Sequence, residues 1–440
     1  MGYGFKKWGW VLFLLTGVLY AQTCPALPPA TNKYIAIRSE DPSDSKTTLF
    51  LPYIFPSDSM GTTFGAGAAV KGYHQKQLLF GVTIFGSTDA AGGVVAGMWD
   101  YRLPWLDNLY FSALGSAGYY PRQRAYTSNG RTGDDSEAGG NDSRKNDFIE
   151  HDGFDKWFDY KFEYVFPIGG LGKRRIVTYH LYDGILKSGA TGGDVWNPMT
   201  SGITTLVVKQ SNRYQSFNTD TGTVSGTIHP IEIGLRYDNT DFTPNPSKGS
   251  SQYIGLTHDF GWAGSESSWT FVELEVSKYF DLGPSATARQ RVIALNGWTG
   301  DTISYSAESG SSGDIIRQNH APFLAGARLG GFWRMRGYDA NRFNDRSVIY
   351  TCAEYRHTLV KNPISNISWL RFLQLDWFQL VGFIEGGRVA SKYNASTLFS
   401  NWKKDIGFGL RAMVAGGIVR LDYAYSDEGS HAWFMVGQPF

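Results

Sequence analysis

The sequence has little cysteine, little excess charge and no long apolar run beyond its first residues. Only Cys24 and Cys352 are cysteines among 440 residues, and their separation fits neither a metal-binding nor a redox motif. Lysine and arginine number 41 against 40 aspartates and glutamates, which excludes the basic surplus of a nucleic-acid-binding protein. After residue 21 no apolar run approaches the length of a membrane-spanning helix, which excludes a helical membrane protein.

Glycine and aromatic residues are abundant instead. The chain has 53 glycines, and aromatic residues make up 15% of it. Charged residues are only 18%, below the roughly 25% of soluble domains. Such a chain is too aromatic to be disordered. The composition is typical of a transmembrane β-barrel, and it is also compatible with a large soluble all-β protein.

The first 21 residues have the organisation of a secretory signal peptide. A lysine pair precedes an apolar run that is too short to cross a bilayer, and the small residue Ala21 precedes the expected cleavage site. We therefore expect residues 1–21 to be removed on export, residues 22–60 to form a short periplasmic segment, and residues 61–440 to form the main domain.

Many later segments alternate between apolar and polar side chains. In 405–414, isoleucine, phenylalanine and leucine alternate with charged residues and glycine, a period of two rather than 3.6. A soluble sandwich also alternates, but here the polar faces carry charges of both signs beside glycine, and the apolar faces end in aromatic residues, as in a membrane barrel. The pattern predicts that these residues face lipid: Phe158, Tyr160, Phe162, Ile231, Ile233, Leu235, Ile406, Phe408 and Leu410.

Sixteen segments are candidate strands of an all-β, antiparallel transmembrane barrel. They are 62–72, 77–87, 91–101, 108–119, 156–166, 175–186, 203–211, 229–238, 251–260, 269–280, 290–299, 346–358, 375–386, 404–415, 417–426 and 431–440. An even count puts both ends on the periplasmic side. Parity also places residues 121–154 there, although their Asp, Asn, Gly and Ser content is typical of an extracellular loop. Either a strand is miscounted or this segment is a periplasmic insertion.

The longest connection, residues 300–345, contains the most specific motif. An apolar residue is followed by Arg-Gly-aromatic: Met335, Arg336, Gly337 and Tyr338. This motif resembles the hallmark of the sixth extracellular loop in the outer-membrane insertase superfamily of BamA and TamA. The resemblance implies a sixteen-stranded barrel whose long sixth extracellular loop folds back into the lumen.

Later segments resemble the same superfamily in the same order. Residues 353–356 are similar to its acidic-aromatic-arginine strand, and residues 383–387 to its Phe-x-Asp-x-Gly motif, with Glu385 in place of the aspartate. Residues 407–411 and 420–424 are similar to its penultimate strands. The closing strand of that superfamily ends on an aromatic residue, and Phe440 provides this C-terminal strand signal here.

The resemblance also implies partners for the arginine. Arg336 is expected to meet carboxylates of neighbouring strands inside the lumen, because a guanidinium offers carboxylates a rigid fork of donors. By alternation, three carboxylates lie on polar strand faces: Glu385, Asp422 and Glu354. The arginine then either holds the loop and stabilises the barrel or takes a direct part in transport.

The resemblance implies a role in outer-membrane protein or lipid assembly, by lateral opening between the first and last strands, in the outer membrane of a diderm bacterium. Members that insert or translocate proteins usually carry periplasmic POTRA domains. Residues 22–60 are too few for one, which resembles the barrel-only branch. The expected partners are outer-membrane lipid, unfolded outer-membrane or exported client proteins or a periplasmic partner, and no nucleic acid.

Two other functions remain open. A passive channel or structural barrel would keep the fold without assembly activity, because a fold does not fix a function. A lipase or protease in the barrel rim would need a catalytic constellation, but the eight histidines are scattered and lie in no nucleophile or metal motif. We therefore expect no enzyme, no catalytic residue, no cofactor and no metal.

Overall fold

The computed structural model of the chain contains one curved antiparallel sheet of sixteen strands. It describes residues 32–37, 46–57, 60–126, 138–172, 174, 176–220, 222–307, 322, 324–364, 367, 374–414 and 416–440. The strands are β1 (Thr47–Ser57), β2 (Gly61–Lys71), β3 (Leu79–Ser87), β4 (Gly92–Arg102), β5 (Leu109–Ala125), β6 (Ile149–Val165), β7 (Ile203–Thr219), β8 (Gly222–Ile228 and Ile231–Asp238), β9 (Gly249–Phe260), β10 (Ser267–Asp281), β11 (Ala288–Ala307), β12 (Ser347–Leu359), β13 (Leu375–Ala390), β14 (Lys403–Val414), β15 (Gly417–Ser426) and β16 (Gly429–Val436).

Each strand is hydrogen-bonded to the next, and its residues alternately face the lumen and the outside. Between β14 and β15, Ile406 pairs with Tyr425 and Asp405 pairs with Ser426. The first two side chains are 58% and 61% exposed, whereas Asp405 and Ser426 are buried. A slip of one residue would turn the charged face outward, so the period-two pattern specifies the register. The sequence prediction of a sixteen-stranded antiparallel β-barrel is confirmed.

The residues predicted to face lipid lie on the outer face of the barrel. Seven of the nine are exposed large apolar side chains, and the other two, Tyr160 and Ile231, are half-buried. Their neighbours along the strands, such as Asp159 and Glu232, are buried on the inner face.

Pro230 divides β8 into two pieces that together act as one strand. The second half of β7 pairs with Gly222–Ile228 and its first half with Ile231–Asp238. Proline has no N–H to give to a ladder, but the carbonyl of Pro230 still accepts a hydrogen bond from the N–H of Ser211 at 3.1 Å. Counted in this way, the barrel has sixteen strands.

The predicted and observed sets of sixteen differ at the N-terminal end. Residues 47–57, which the sequence assigned to a periplasmic segment ending at residue 60, form β1 and pair with β2 along their whole length. The barrel therefore begins at Thr47 rather than at residue 61. β1 contains Pro52 and Pro56. Proline is unusual inside strands, so the sequence pattern did not identify this segment as one. Residues 1–21, the predicted signal peptide, lie outside the described residues.

One predicted strand, 175–186, lies outside the barrel. Val177–Tyr182 pairs in parallel with Tyr34–Ile37 and antiparallel with Ile185–Ser188, forming a small separate sheet. It alternates as strongly as a barrel strand because one of its faces is buried and the other is exposed. Alternation alone cannot tell the two cases apart.

These two differences move the connection between β5 and β6, of which residues 138–148 are described, to the end of the barrel that carries loop six. With β1 added and 177–182 removed, this connection follows the fifth strand instead of the fourth. The N–H of Asn344 in loop six donates to the carbonyl of Gly139 at 2.8 Å. Of the two alternatives, a miscounted strand applies, and this connection lies at the same end of the barrel as loop six.

Segments cover both ends of the lumen. We call the described residues of 324–346 and 138–148 the lid, and those of 32–37, 166–202, 239–248 and 437–440 the cap. The lid contains a short hairpin of Ala327–Leu329 and Phe343–Asp345, and the cap contains the small three-stranded sheet. Each has its own buried apolar cluster against the inner wall.

Among the residues that the structure describes, helical structure is confined to single turns at Gly169–Leu171 and Ala395–Leu398. Within the described part of the chain, no helix has the length and apolar character to traverse a membrane.

Candidate functional site

The loop-six motif follows a tight turn in the lid. Gly330 and Gly331 have φ values of 105° and 106°, which only glycine adopts readily. Met335 has φ 60° and is fully buried. The N–H of Tyr338 donates to the carbonyl of Met335 at 3.1 Å. This turn directs Arg336 at the inner wall of the barrel.

Arg336 is fully buried and contacts three strands. Its backbone N–H and its Nε donate to Oε2 of Glu385, at 2.6 and 3.2 Å. Its Nη1 lies 2.7 Å from Oδ2 of Asp422 and 3.0 Å from Oε1 of Glu354. Its guanidinium carbon lies 3.4 Å from the ring centre of Phe383. The structure thus brings Arg336 against all three carboxylates named from the sequence, which lie on β12, β13 and β15.

Three further buried arginines share these carboxylates. Arg411 donates to both oxygens of Glu354, at 2.7 and 3.0 Å, and the Nε of Arg356 donates to the same carboxylate at 2.9 Å. Arg420 is paired with Asp422. We call these four arginines and three carboxylates, together with Asp405 on β14, the Arg336 cluster. Each of the three carboxylates is paired with at least one arginine.

The three carboxylates make the burial of Arg336 tolerable. Burial alone lowers the pKa of Arg336, but Glu385, Asp422 and Glu354 raise that pKa well above its ordinary value. The guanidinium therefore stays charged at any pH in which the protein would function. Removing one partner from a buried ion pair costs about 3–5 kcal/mol, because the remaining charge is left without compensation.

Gly337 brings the loop backbone into direct contact with the wall. Its N–H donates to Oδ2 of Asp405 at 3.0 Å, and its carbonyl accepts from the hydroxyl of Ser426 at 2.6 Å. A Cβ at this position would lie 2.5 Å from the Cβ of Asp405, far inside the roughly 3.5–4.0 Å at which carbon atoms attract. Glycine is therefore required here for close approach.

Tyr338 and Trp433 connect the motif to the last strands. The hydroxyl of Tyr338 donates to Oδ1 of Asp427 at 2.6 Å and lies 3.1 Å from the carbonyl oxygen of Lys404. Nε1 of Trp433 on β16 donates to the carbonyl of Arg336 at 2.7 Å. Loop six therefore holds the β15–β16 hairpin from inside the lumen.

A second set of contacts lies nearer the lid surface. Nε and Nη2 of Arg342 donate to the two carboxylate oxygens of Glu428, both at 2.7 Å, and its guanidinium also donates to the hydroxyl and carbonyl of Ser143. The hydroxyl of Tyr126 donates to Asp339 at 2.6 Å. These contacts join loop six, the 138–148 segment and the β15–β16 turn into one body.

The cap is anchored by a separate ion pair at its N-terminal strand. Nζ of Lys33 lies 2.7 Å from Asp100 on β4 and 2.6 Å from Glu163 on β6. Burial lowers the pKa of Lys33, but the two carboxylates outweigh this effect and raise it. The amide of Asn32 donates to Asp238 on β8 at 3.1 Å. Residues 32–37 therefore cross the mouth of the barrel.

Phe440 does not end the closing strand. The last strand stops at Val436, four residues before the predicted end, because Gly437, with φ 92°, turns the chain inward. The ring of Phe440 lies 6.4 Å from that of Tyr279 and 5.2 Å from the guanidinium carbon of Arg356, on the inner wall. The prediction of a strand that continues to Phe440 was wrong: the strand ends at Val436, and residues 437–440 belong to the cap.

Several residues of the site were missed from the sequence. Asp405, Arg411 and Arg420 lie on polar strand faces that the alternation identified, so a search for charged partners on those faces would have found them. Trp433 gives no such signal, because an inward tryptophan resembles any packed aromatic residue. Lys33 precedes the first strand and belongs to no pattern.

Residues 200–440, more than half of the chain, match the sequence profile described as the Omp85 superfamily domain. This match confirms the resemblance inferred from the loop-six motif and the strands that follow it. No curated protein sequence matches the chain.

Solved structures with a related shape include three outer-membrane barrels. CdiB from Escherichia coli has a TM-score of 0.51 at 12% identity, covering 89% of this chain and 61% of that chain. CdiB from Acinetobacter baumannii has a TM-score of 0.47 at 11% identity, covering 89% and 58%. BamA from Haemophilus ducreyi lacking POTRA domains 1-3 has a TM-score of 0.45 at 12% identity, covering 90% and 69%. The chain spans less than two thirds of the two CdiB chains, and at these identities the likeness concerns the fold alone.

Proposed function

This chain belongs to the Omp85 superfamily, and on that premise we propose that it assists the assembly or translocation of outer-membrane proteins or lipids. It acts in the outer membrane of a diderm bacterium, with membrane lipid around its wall and unfolded proteins or a periplasmic protein as partners. The observation that carries the proposal is the contact of Arg336 with β12, β13 and β15 from inside the lumen.

The position of the motif supports an assembly role, because it also contacts the last strand: Nε1 of Trp433 on β16 donates to the carbonyl of Arg336. We call the place where the first and last strands, β1 and β16, meet the seam. The last strand has only eight residues and is bounded by Gly429 and Gly437, with φ values of 138° and 92°. The first strand contains Pro52 and Pro56. Proline removes a ladder donor and is found mainly in edge strands. We infer that this seam is the weakest part of the wall and the place where a client or a lipid passes.

The covered lumen is evidence against a simple open pore. Arg336 in the lid and Lys33 in the cap are both almost completely buried, and each is paired with carboxylates of the wall. Passage along the axis would require both ends to open, at the cost of breaking buried ion pairs. Lateral passage at the seam requires neither step.

One observation favours the alternative, a passive channel or structural barrel. Gly67 on β2 and Gly81 on β3 face the lumen and are only half-buried. The inner wall beside the first strands is therefore less completely covered than the wall at the Arg336 cluster. A narrow conducting path along this side of the lumen would suit a passive barrel.

We further propose that the protein catalyses no covalent chemistry. Glu354, Glu385 and Asp422 are each paired with at least one arginine. A general base needs free access to the proton that it removes, and these carboxylates are occupied.

Reconstitution into liposomes tests the assembly role. An unfolded outer-membrane barrel is added to liposomes containing the purified protein, and its folded fraction is followed over time by its mobility in unheated SDS gels. We expect faster folding than in empty liposomes, and a smaller acceleration with Arg336→Ala than with the control Arg334→Ala. Unchanged client folding, with and without cell extract to supply a partner, would replace the assembly role with the passive barrel.

A further inference from the structure

A part of the cap lies outside the barrel, against the end of β8. The outward-facing row of β8 runs through Ile233 and Leu235 to Tyr237. Ile233 is 51% exposed, whereas Tyr237 is only 8% exposed. The ring of Trp196, a cap residue, packs edge-on against the ring of Tyr237, with the ring centres 5.5 Å apart. At Tyr237 the cap therefore covers a position that alternation assigns to the lipid-facing surface.

Trp196 also contacts the outward face of β9. Its Nε1 donates to Oε1 of Gln252 at 3.0 Å. Gln252 lies two positions before Ile254, which is 54% exposed on the outer wall, and residues two positions apart in a strand share a face. Trp196 thus joins the neighbouring strands β8 and β9 from outside the barrel.

The chain on either side of this contact is also held against the outer wall. Nζ of Lys248 lies 2.7 Å from Oδ1 of Asp194. Gly202 has φ 67°, and a Cβ there would lie 2.7 Å from the ring of Tyr237, so glycine is needed for the chain to pass this close. We call residues 194–202 the rim segment.

Three large apolar side chains of the rim segment are exposed. Val195, Trp196 and Met199 are 60%, 62% and 67% exposed. The N–H of Met199 donates to Oδ1 of Asn197 at 3.0 Å, so the chain turns sharply between Trp196 and Met199. Exposed apolar side chains that are grouped in this way mark a surface that binds a protein or a membrane.

The position of the rim segment favours the membrane as its partner. The segment lies on the outward row that continues to Ile233 and Leu235, so the lipid that contacts those side chains also reaches it. Tryptophan is typical of the membrane–water interface, because its ring is apolar while its N–H keeps a polar partner. The charges of Asp194 and Lys248 beside the patch neutralise each other and leave no net charge to attract a charged partner protein.

We propose that the rim segment inserts Val195, Trp196 and Met199 into the periplasmic leaflet of the outer membrane, among the headgroups and upper acyl carbons of glycerophospholipids. The cap, whose apolar cluster packs against the inner wall, is then fastened to the membrane outside the wall as well. Opening this end of the lumen would require the rim segment to leave the lipid or to separate from the rest of the cap.

Fluorescence quenching in liposomes tests the proposal. One cysteine is introduced into a Cys24→Ser chain and labelled with a fluorescent dye, and the protein is reconstituted with phosphatidylcholine that carries a nitroxide either on its headgroup or at mid-chain. Cys352 is buried, and the chain without an added cysteine measures its background labelling. We expect a dye at Val195→Cys or Met199→Cys to be quenched, and more strongly by the headgroup nitroxide than by the mid-chain one.

Two control positions bracket this result. Ile233→Cys, on the lipid-facing wall, should be quenched more strongly by the mid-chain nitroxide. Tyr182→Cys should be quenched by neither, because Tyr182 is 69% exposed but lies on the face of its strand opposite to the buried Val177, Tyr179 and Leu181. Gel mobility of unheated samples shows that each labelled variant is folded.

A double variant, Val195→Asp with Met199→Asp, provides a second readout. It should raise the amide hydrogen exchange of residues 199–201 in liposomes, whose N–H groups bond to Asn197 in the native protein, whereas Tyr182→Asp should not. Dyes at Val195 and Met199 that behave like the dye at Tyr182 would place the rim segment in water and overturn the proposal, leaving the patch to a partner protein. Unchanged exchange in the double variant would overturn it as well.

Discussion

The lid and the cap cover the two ends of one lumen by different physical means. In the lid, Arg336 alone contacts three buried carboxylates, and Arg342 forms a bidentate ion pair with Glu428. In the cap, Tyr179, Phe242 and other apolar side chains form a continuous cluster against the wall. The lid also has a buried apolar cluster against the wall, so the difference lies in the ion pairs. The lid adds several buried ion pairs to its apolar packing, whereas the cap adds those of Lys33.

This difference in buried ion pairs affects how the lid and the cap can each move away from the wall. A buried ion pair is lost as a unit, because removing either partner leaves an uncompensated charge. Apolar contacts are lost in proportion to the area exposed, at about 25 cal/mol per Å². We therefore expect the lid to have two well-separated states, held and released, and the cap to loosen gradually.

The largest expected effect is at Arg336. Arg336→Ala leaves Glu385, Asp422 and Glu354 with one cation fewer, and we expect a loss of about 3–5 kcal/mol in lid stability. Limited proteolysis and amide hydrogen exchange of residues 324–346 measure how readily the lid detaches from the barrel wall. The expected result is cleavage within the lid at protease concentrations that leave the native protein intact.

Arg334→Ala is the matched control for this change. Arg334 is two residues away in the same loop, but its pair with Glu275 is partly exposed, so its loss should cost about 1 kcal/mol or less. If both variants were equally sensitive to protease, the lid would not depend on the Arg336 cluster, and the contrast with the cap would fail.

At the cap, the corresponding change is Lys33→Met. It leaves Asp100 and Glu163 without their cation, but Lys161 remains 3.4 Å from Glu163, so we expect a smaller loss, about 3 kcal/mol. The readout is hydrogen exchange of the amides of 34–37, which pair with 177–180. Because the pKa of Lys33 is raised in the folded protein, its stabilisation is present at neutral pH and is lost only as the pH rises through that raised value.

Lys46→Met is the control for the cap, because Lys46 is exposed just before β1. It should leave the exchange of 34–37 unchanged. Release of the whole cap by Lys33→Met, with its apolar cluster exposed, would show that the cap also depends on a single ion pair, and the proposed difference between the two ends would disappear.

The barrel was predictable because strands in contact with lipid obey one rule. Ile406 and Phe408 must face outward and Asp405 inward, and this requirement produces the alternation of apolar and polar residues in the sequence. The cap obeys no such rule. Val177–Tyr182 alternates like a barrel strand and was wrongly counted as one. Thr47–Ser57 carries two prolines and was wrongly left out. The two errors cancelled, so the predicted number of strands was still sixteen.

The site was predictable where its chemistry is specific. A buried arginine needs carboxylates, so the partners of Arg336 followed from alternation and the resemblance together. Trp433 and Lys33 were not predictable, because their positions depend on which segments the folded chain brings together. The turn at Gly437 was also missed, since a glycine near a strand end permits several backbone paths.

A smaller effect is expected from Gly337→Ala. The added Cβ would lie 2.5 Å from that of Asp405, which forces the loop away from the wall and should cost about 1–3 kcal/mol. Gly382→Ala is the control, because a Cβ there meets nothing within 4 Å. Hydrogen exchange of the lid should rise for Gly337→Ala only. Equal behaviour of the two variants would mean that close approach at Gly337 does not hold the lid.

The smallest effect, and the sharpest comparison, comes from removing one hydroxyl at each end. Tyr338→Phe keeps the packing of its ring against Phe343 but removes the donor to Asp427 at 2.6 Å, and we expect a loss of about 1.5 kcal/mol in lid stability, as for hydrogen bonds to charged groups. Tyr179→Phe removes a contact of 3.2 Å to the neutral hydroxyl of Thr243 and should cost about 0.5 kcal/mol in the cap.

Both tyrosines are fully buried, so their apolar contributions are matched. Hydrogen exchange in both segments, measured on the same samples, gives the two losses. A larger loss at Tyr179 than at Tyr338 would mean that polar contacts hold the cap more strongly than the lid, which is the reverse of what their buried contacts imply.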